Sequence, residues 1–412
     1  MHVMDSPSRL SQRITNLKSS ATLALTAKVK ALNAAGAEVI GFAAGEPDFD
    51  TPQHIKQAAI DALNAGQTHY MPVPGDPAAR QTIADKMQRD NAINCSADDI
   101  VITTGGKHAI YLALQCLVDA DRGAQVLVPT PAWLSYRPMI ELAGGEVVEI
   151  PGSADNDFKI TAQQLQDAIT DRSVAIIINS PSNPCGTMYS PDELRELATV
   201  IERHPQLTVM SDEIYEKLIF GDVDHFSIGS VKAIADRVIT INGLSKAYAM
   251  TGWRIGYACA PGTDQAMARA IAKLQGQMTS HITSFCYAAI GEALTNAADD
   301  VERMRREFAG RAVIIHERLT AMPGIRCPKP TGAFYVFPDI SATFGKRSGG
   351  GRLIDSAMSF AEALLEEANV AVVPGDDFGG CGPNHVRLSF ACSEQQIEKG
   401  CRRIHRWIDA MT

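Results

Sequence analysis

The chain has 412 residues, of which 45% are hydrophobic and 21% charged, so it is long enough for two or three globular domains. Its net charge of −9 argues against a nucleic-acid-binding protein, because such proteins usually carry a basic excess. No apolar run approaches the roughly 20 residues that a membrane span needs, and the first residues lack the apolar stretch of a signal peptide. Nine scattered cysteines without a C-x-x-C pair are typical of a reduced protein. We therefore expect a cytoplasmic protein with no membrane or nucleic-acid partner.

The middle of the chain alternates apolar runs with helical patterns. A helix is predicted over 107–118, directly after the first of six strands. The predicted strands are, in chain order, "DIVITTGG", "AQVLVPTP", "GEVVEIPG", "SVAIIINSPSNP", "LTVMSDE" and "RVITINGLSK". Several are nearly continuous in Val, Ile and Leu, as strands covered on both faces are. Strands that alternate with helices predict an α/β fold with a mainly parallel sheet.

The last third of the chain has a different pattern. Long helices are predicted over 300–322 and 354–369, with short strands around "AFYVFP" and "HVRLSF". This predicts a second, smaller α/β domain completed by part of the N-terminal segment. We expect an N-terminal arm and part of the small domain in 1–48, a large domain in 49–298 and the small C-terminal domain in 299–412.

Polar and aromatic residues follow the predicted strands at their carboxyl ends, where ligands bind in open α/β sheets. In chain order they are Gly105, Gly106, Lys107, Trp133, Asn179, Asn183, Asp212, Tyr215 and Lys246. Together they offer an anion-binding helix N-terminus, an aromatic face, amides, a carboxylate, a phenol and an amine. This set fits one planar, phosphorylated, nitrogen-containing ligand.

Most of these residues also have a purely structural interpretation. The two glycines suit a turn, Trp133 suits a core, Asn183 suits an Asn-Pro turn, and Tyr70 suits a loop. A purely structural role is harder to assign to Asp212. Burying an acid at the end of an apolar strand costs free energy unless a cation pairs with it or several donors hydrogen-bond to it. His69, His108 and His385 have no partner at metal-ligand spacing and are interpreted as structural, and we predict no metal site.

The stretch "LSKAYAMTGWR" (244–254) carries two cations, Lys246 and Arg254, and no acid. An amine that is desolvated beside another cation loses some of its preference for the proton and becomes nucleophilic. An arginine cannot do this, because its guanidinium stays protonated, and it is suited instead to a bidentate grip on phosphate or carboxylate. The pair therefore indicates a shared anionic partner with a reactive group.

The segments "SDEIYEKL", "NSPSNPCGTMY" and "NGLSKAYAMTGWRIGYACAP" resemble the signature segments of the class I pyridoxal-phosphate aminotransferases. The resemblance is nearest to the bacterial-type (subgroup Iβ) aspartate aminotransferases. It extends from "LKSSATLALTAK" and "GFAAGEPDFDTP" to "PGDDFG" and "HVRLSFA", in the same order over the whole chain. It implies the fold-type-I architecture, pyridoxal 5'-phosphate as cofactor, and a homodimer with shared active sites.

The resemblance also implies residue roles around the cofactor ring. Lys246 would form a Schiff base with the cofactor aldehyde and then carry a proton to and from the substrate Cα. Asp212 would keep the pyridine nitrogen protonated, which makes the ring an electron sink. Tyr215 and Asn183 would hydrogen-bond the ring oxygen, and Trp133 would stack on the ring face.

The phosphate would be held by the backbone N–H groups of Gly106 and Lys107, by Arg254, and by Tyr70 of the neighbouring subunit. The implied catalytic residues are thus Lys246, Tyr70, Asp212 and Tyr215.

For the substrate, the resemblance implies that Arg387 clamps the α-carboxylate near the backbone of Gly45. Gln115 stands where some relatives carry a basic residue for the distal carboxylate, and Lys18 and Thr22 are further candidates for that contact. The implied substrate-binding residues are Gly45, Trp133, Asn183, Arg387, Lys18, Thr22 and Gln115.

The expected reaction is a ping-pong transfer of an amino group from an L-amino acid, with aspartate or another dicarboxylate favoured, to 2-oxoglutarate or a similar 2-oxo acid. Alternatives on the same scaffold are an aminotransferase for aromatic or other non-acidic amino acids or prephenate, and a pyridoxal-phosphate lyase. A non-catalytic ligand-sensing regulator is a third interpretation. A nicotinamide dehydrogenase is disfavoured, because no glycine fingerprint follows the first strand.

Overall fold

The structure is a computed structural model that describes residues 10–17, 21–221 and 223–412. The strands are β1 (Ile40–Gly41), β2 (Ile100–Thr103), β3 (Gln125–Thr130), β4 (Glu146–Pro151), β5 (Ser173–Asn179), β6 (Thr208–Asp212), β7 (Val238–Gly243), β8 (Gly256–Cys259), β9 (Tyr335–Val336), β10 (Val370–Ala371), β11 (Val373–Pro374) and β12 (Val386–Ser389). The α-helices are α1 (Gln12–Asn16), α2 (Ala21–Ala34), α3 (Gln53–Asn64), α4 (Pro77–Asn91), α5 (Gly106–Leu117), α6 (Tyr136–Leu142), α7 (Ala162–Ala168), α8 (Pro191–Glu202), α9 (Ala266–Gly276), α10 (Cys286–Asn296), α11 (Ala298–Thr320), α12 (Ala357–Ala368) and α13 (Glu394–Asp409).

The main sheet has seven strands in the order β2-β8-β7-β6-β5-β3-β4. β8 runs antiparallel to both of its neighbours, and the pairs from β7 to β4 are parallel. β2, β7 and β8 are buried along their whole length, because helices cover both faces of the sheet. The predicted α/β fold with a mainly parallel sheet is confirmed.

The register of the central strands brings polar residues together. Asn179, the last residue of β5, lies opposite Asp212, the last residue of β6, and Asp212 in turn lies opposite Ile241 of β7. Parallel strands end at the same edge of a sheet, so the segments that follow β5, β6 and β7 meet there. The site described below is at this edge.

A second part of the fold lies in the last third of the chain. β11, β12 and β9 form a small antiparallel sheet, and β1 pairs in parallel with β10. A core joins Ile40 and Phe42 to residues of α11, α12 and α13. The N-terminal strand thus packs with the C-terminal elements, and we keep the division into 1–48, 49–298 and 299–412 as a proposal.

The helices and strands that the sequence predicted appear in the structure to within a few residues. The six predicted strands appear as β2 to β7, and the three predicted helices as α5, α11 and α12. β8 was not predicted, because it is four residues long and begins with a glycine, which leaves little strand pattern. Among the described helices, none combines the length and the apolar character that crossing a membrane requires.

Candidate active site

A cavity of about 350 Å³ opens at the carboxyl edge of the main sheet. It lies between the ends of β5, β6 and β7 and the start of α5, and the small antiparallel sheet closes one side. The residues that line it and bear on its chemistry are Gly45, Gly106, Lys107, Trp133, Tyr136, Asn179, Asn183, Asp212, Tyr215, Lys246, Thr251, Arg254, Tyr335 and Arg387. The cavity therefore gathers most of the residues that the sequence predicted.

Lys246 follows β7 and points its amine into the cavity. Its Nζ donates a hydrogen bond to the carbonyl oxygen of Gly45 at 2.5 Å. Burial lowers the pKa of Lys246 to about 8, with Arg387 and Arg254 acting in the same direction and Glu46 acting against them. An amine with this pKa is about half neutral near pH 8, and the neutral form is what a nucleophile or a proton acceptor needs.

Asp212 ends β6 with a buried carboxylate. Oδ2 accepts a hydrogen bond from Tyr136 Oη at 2.5 Å, and Oδ1 accepts one from the Ile214 N–H at 3.4 Å. Burial raises the pKa of Asp212 to about 6, and these two hydrogen bonds oppose that rise. The carboxylate remains ionised at neutral pH and can pair with a positive group in the cavity.

Tyr136 was not identified from the sequence. Its ring meets Trp133 edge-on, with centroids 5.3 Å apart, while its hydroxyl reaches Asp212. The one available signal was the three-residue spacing from Trp133 at the start of a helix, which does not by itself indicate a contact with β6.

Arg387 lies on β12 and is 2% exposed, so its charge is buried. Nη1 donates to Asn183 Oδ1 at 3.0 Å, and Nη2 donates to the Ala43 carbonyl at 2.8 Å. Its guanidinium lies 4.8 Å from the ring of Tyr335, whose hydroxyl is 3.0 Å from that of Tyr215. Within the described residues no carboxylate pairs with Arg387, and its Nε has no hydrogen-bond partner. A buried guanidinium in this state favours an anionic ligand.

Arg254 lies beside the turn that starts α5. Its guanidinium donates to the carbonyls of Thr251 at 2.9 Å and Thr104 at 3.4 Å. A Cβ on Gly105 would come within 2.3 Å of Arg254 Nη2, and Gly105 has a φ of +84°. Glycine is therefore required for this close approach. The cation and the first N–H groups of α5, which have no partner within the helix, form a cradle for a phosphate.

Lys107 contributes more than its backbone. Its Nζ lies 4.8 Å from the centre of the Trp133 ring, on the wall of the cavity. Burial, followed by the nearby charge of Arg254, lowers the pKa of Lys107. In the part of the chain that the structure describes, no acid pairs with this amine. The resemblance implies only a backbone role for Lys107, because the direction of its side chain depends on packing against Trp133.

The other candidates for the distal carboxylate do not occupy this position. Gln115 does not line the cavity, since it lies roughly 13 Å along α5 from Gly106 at 1.5 Å per residue. The expectation for Gln115 is therefore not met. Lys18 and the side chain of Thr22 lie outside the described residues.

Tyr70 does not line the cavity of its own chain. It is 90% exposed, and its ring contacts that of His281 edge-on at 5.8 Å. An aromatic side chain this exposed leaves its hydroxyl free to reach a second molecule.

The residues at the cavity fit a phosphorylated pyridine aldehyde. The cradle at Gly105 and Arg254 suits its phosphate, and the buried Asp212 suits a protonated ring nitrogen. The amine of Lys246 would suit the aldehyde, and Trp133 offers an aromatic wall.

Comparison with known proteins agrees with this fit. Residues 37–404 match the family model described as aminotransferase class I and II. The aspartate aminotransferase of Geobacillus stearothermophilus is 46% identical over 98% of this chain and 99% of its own length. The crystal structure of the Rhizobium meliloti aspartate aminotransferase superposes with a TM-score of 0.93 at 37% identity, over 98% of this chain and 100% of that one. The Thermus thermophilus aspartate aminotransferase with maleate gives a TM-score of 0.90 at 39% identity, over 97% and 99%.

The chain belongs to the class I and II aminotransferases. It has their fold-type-I architecture and is a pyridoxal-phosphate-dependent aminotransferase. Its substrates are an amino acid and a 2-oxo acid.

Proposed function

We propose that this aminotransferase moves the amino group of aspartate, or of another dicarboxylic amino acid, to 2-oxoglutarate or a similar 2-oxo acid. The observation that carries the proposal is the pair of cations, Arg387 and Lys107, that reach one cavity without a carboxylate partner in the described chain. A dicarboxylate supplies one anion to each. Maleate, named with the Thermus thermophilus structure, is itself a dicarboxylate.

In this proposal Arg387 clamps the α-carboxylate, which all the amino-acid and 2-oxo-acid substrates share. Its guanidinium, which lines the cavity, and the nearby backbone of Gly45 make that contact from one side of the cavity. Asn183, which orients Arg387 through Oδ1, keeps its amide nitrogen free for the cofactor ring oxygen. Lys107 receives the distal carboxylate beside Trp133.

Pyridoxal phosphate, when bound, stabilises the negative charge that develops at the Cα of the amino acid. Lys246 holds the cofactor through its amine and moves the proton at that Cα, as its pKa of about 8 permits. Asp212 keeps the ring nitrogen protonated, and Tyr215 and Asn183 bond the ring oxygen. Trp133 covers the ring face, and Arg254 with the N–H groups of Gly106 and Lys107 holds the phosphate.

Substrate preference tests the proposal directly. Oxo-acid release should be measured for the holoenzyme with aspartate and phenylalanine as donors and 2-oxoglutarate as acceptor. Glutamate should be tested as a donor to prephenate, because glutamate and 2-oxoglutarate only exchange with each other. We expect kcat/KM for the acidic donors to exceed that for phenylalanine. In Lys107→Gln, aspartate should lose about 10–100-fold in kcat/KM, as expected for one lost charge-assisted contact, and phenylalanine should not change.

Phenylalanine is the internal control for this variant. An equal loss for both donors would place Lys107 on the cofactor rather than on the substrate. Release of ammonia instead of transfer to the acceptor would identify a lyase and reject the proposed reaction.

We also propose a homodimer in which Tyr70 serves the partner's site. Its exposed hydroxyl, away from its own cavity, supports this arrangement. Tyr70→Phe should raise the cofactor dissociation constant about 10–100-fold, the effect of one lost hydrogen bond to a charged group, without changing the dimer mass in sedimentation. His69→Gln, one residue away, should leave cofactor affinity unchanged. Unaltered affinity in Tyr70→Phe would contradict the shared site.

We propose the cytoplasm as the compartment. All nine cysteines are free thiols, as in proteins of a reducing environment.

A further inference from the structure

Behind the cavity, on the opposite side of the segment that carries Asp212, lies a buried polar cluster. We call it the Glu213–Glu216 network. Its members are Lys86, Asn91, Ser211, Glu213, Glu216 and Ser227. None of them is more than 8% exposed, and none has a role in the proposed reaction.

Helix α4 holds both glutamates from one side. Asn91 Nδ2 donates to Glu213 Oε2 at 2.9 Å and to Glu216 Oε2 at 2.7 Å. Lys86 Nζ donates to Asn91 Oδ1 at 2.7 Å and forms an ion pair with Glu216. One helix face thus fixes two carboxylates that lie three residues apart.

Glu213 is held from a second side. Ser211 Oγ and Ser227 Oγ donate to its Oε1 at 2.8 and 2.6 Å. Burial, and then the charge of Glu216, raises the pKa of Glu213 to about 7. Burial also acts to raise the pKa of Glu216, but the ammonium of Lys86 lowers it overall. Lys86 supplies the positive charge of the cluster, and His225 Nε2 lies 3.4 Å from Glu213 Oε2 without a hydrogen-bond partner among the described residues.

The network and the cavity share one short segment of chain. Asp212 and Tyr215 face the cavity, whereas Glu213 and Glu216 face the network. The segment is a turn, with hydrogen bonds from the Glu216 N–H to the Glu213 carbonyl and from the Leu218 N–H to the Tyr215 carbonyl. Asp212 is the last residue of β6, and no helix or strand continues beyond it, so side-chain contacts contribute to the direction of the residues that follow.

Stability alone does not account for a buried cluster of this kind. Apolar side chains of similar volume often replace a buried ion pair with no loss of stability, because they avoid the cost of removing charges from water. Apolar contacts, however, are non-directional, whereas hydrogen bonds fix an orientation. The buried network is therefore better explained by a need to fix the orientation of the turn that carries Glu213 and Glu216.

We propose that Glu213 and Glu216 are positioning residues for the transamination reaction, which fix the directions of Asp212 and Tyr215 into the cavity from behind. The inference rests on the proposed roles of Asp212 and Tyr215 toward the cofactor. Neither glutamate touches the substrate or the cofactor, and both act through the turn that they share with the cavity residues.

Glu216→Gln tests this inference, because it removes the carboxylate that pairs with Lys86. With folded holoenzyme well below its melting temperature, we expect the cofactor dissociation constant to rise and kcat at saturating cofactor to fall, each on the order of tenfold, as for a lost hydrogen bond to a charged group. The pH dependence of the bound cofactor's absorbance should shift as well. A purely structural role would lower the melting temperature and leave these three measurements unchanged.

Lys217→Gln is the matched control. Lys217 follows Glu216 and pairs at 2.8 Å with Asp90, which precedes Asn91, so it joins the same two elements through a hydrogen bond to a residue that is not a network member. We expect wild-type affinity, kcat and absorbance in this variant. Wild-type values in Glu216→Gln would overturn the proposal, and an equal loss in Lys217→Gln would do so too.

A milder variant covers the case in which Glu216→Gln does not fold. Ser227→Ala removes one hydrogen bond to Glu213 and should raise the cofactor dissociation constant about threefold. Ser230→Ala, in the same turn, removes only a bond to the Ser227 carbonyl and should have no effect. Wild-type affinity in Ser227→Ala would overturn the proposal.

Asp212→Asn serves as the reference. If this variant binds the cofactor normally, the proposed role of Asp212 is wrong. If it binds weakly while Glu216→Gln and Ser227→Ala behave as wild type, only the positioning role is wrong.

Discussion

Replacing Lys246 with alanine is expected to lower kcat for transamination by at least ~10³-fold, within the range found for loss of a general acid–base group. Lys246 is the amine in the cavity whose pKa is lowered to about 8, and no neighbouring side chain offers an equivalent proton acceptor at that position. Single-turnover measurements with aspartate should show the loss in the chemical step. The visible absorbance of the bound cofactor should change as well, since its covalent attachment would be missing.

The lowered pKa of Lys246 also predicts how the reactivity of its amine depends on pH. In the cofactor-free protein, acylation of Lys246 measured by mass spectrometry should rise through a midpoint near pH 8, because the pKa is lowered and the neutral amine is the reactive form. Exposed lysines should react with a midpoint near their usual value of about 10.4. A Lys246 midpoint in that higher range, or wild-type turnover in Lys246→Ala, would contradict the assignment.

Asp212→Asn is expected to lower kcat/KM by about 10²–10⁴-fold, the equivalent of the ~3–5 kcal/mol for breaking a buried charge pair. Asparagine keeps the shape of the side chain and can still accept the hydrogen bond of Tyr136, but it cannot carry a negative charge. The ring nitrogen of the cofactor would then lose its counter-charge, and charge at the substrate Cα would be less stabilised.

Stability measurements separate this effect from misfolding. The cofactor-free variant should melt no lower than the wild type, because the substitution removes a carboxylate whose ionisation burial opposes. Asp212→Glu restores the charge in a packed site and should recover part of the activity. A variant that melts far below the wild type, or that turns over normally, would count against the proposed role.

Much of the large sheet could be predicted from the sequence. The strands β2 to β7 are rich in Val and Ile and are separated by helical patterns, and burial on both faces requires such residues. The ends of those strands then indicated Asp212, Asn179 and Lys246 as neighbours, since parallel strands end at one edge. β8 was missed because a four-residue strand beginning with glycine leaves little pattern.

The rest of the site depends on long-range packing. Arg387 comes from a different sheet and could be placed only through resemblance, and Tyr335 and Tyr136 meet the cavity through contacts with Tyr215 and Asp212. The direction of the Lys107 side chain is set by Trp133, which lies on a separate loop. No periodicity in one segment encodes contacts of this kind.

The segment at the end of β6 faces the cavity on one side and the Glu213–Glu216 network on the other. This arrangement limits the insertions and deletions that the chain can accept in evolution. Successive side chains of a strand point to opposite faces, so losing or gaining one residue at the end of β6 would exchange the environments of Asp212 and Glu213. Asp212 would then lie in the buried network. Glu213, which Asn91 and the two serines hold, would face the cavity instead. A single substitution here changes one side of the segment, whereas an insertion or deletion disrupts the cavity and the network together. We expect the length of this segment to be more constrained than its composition.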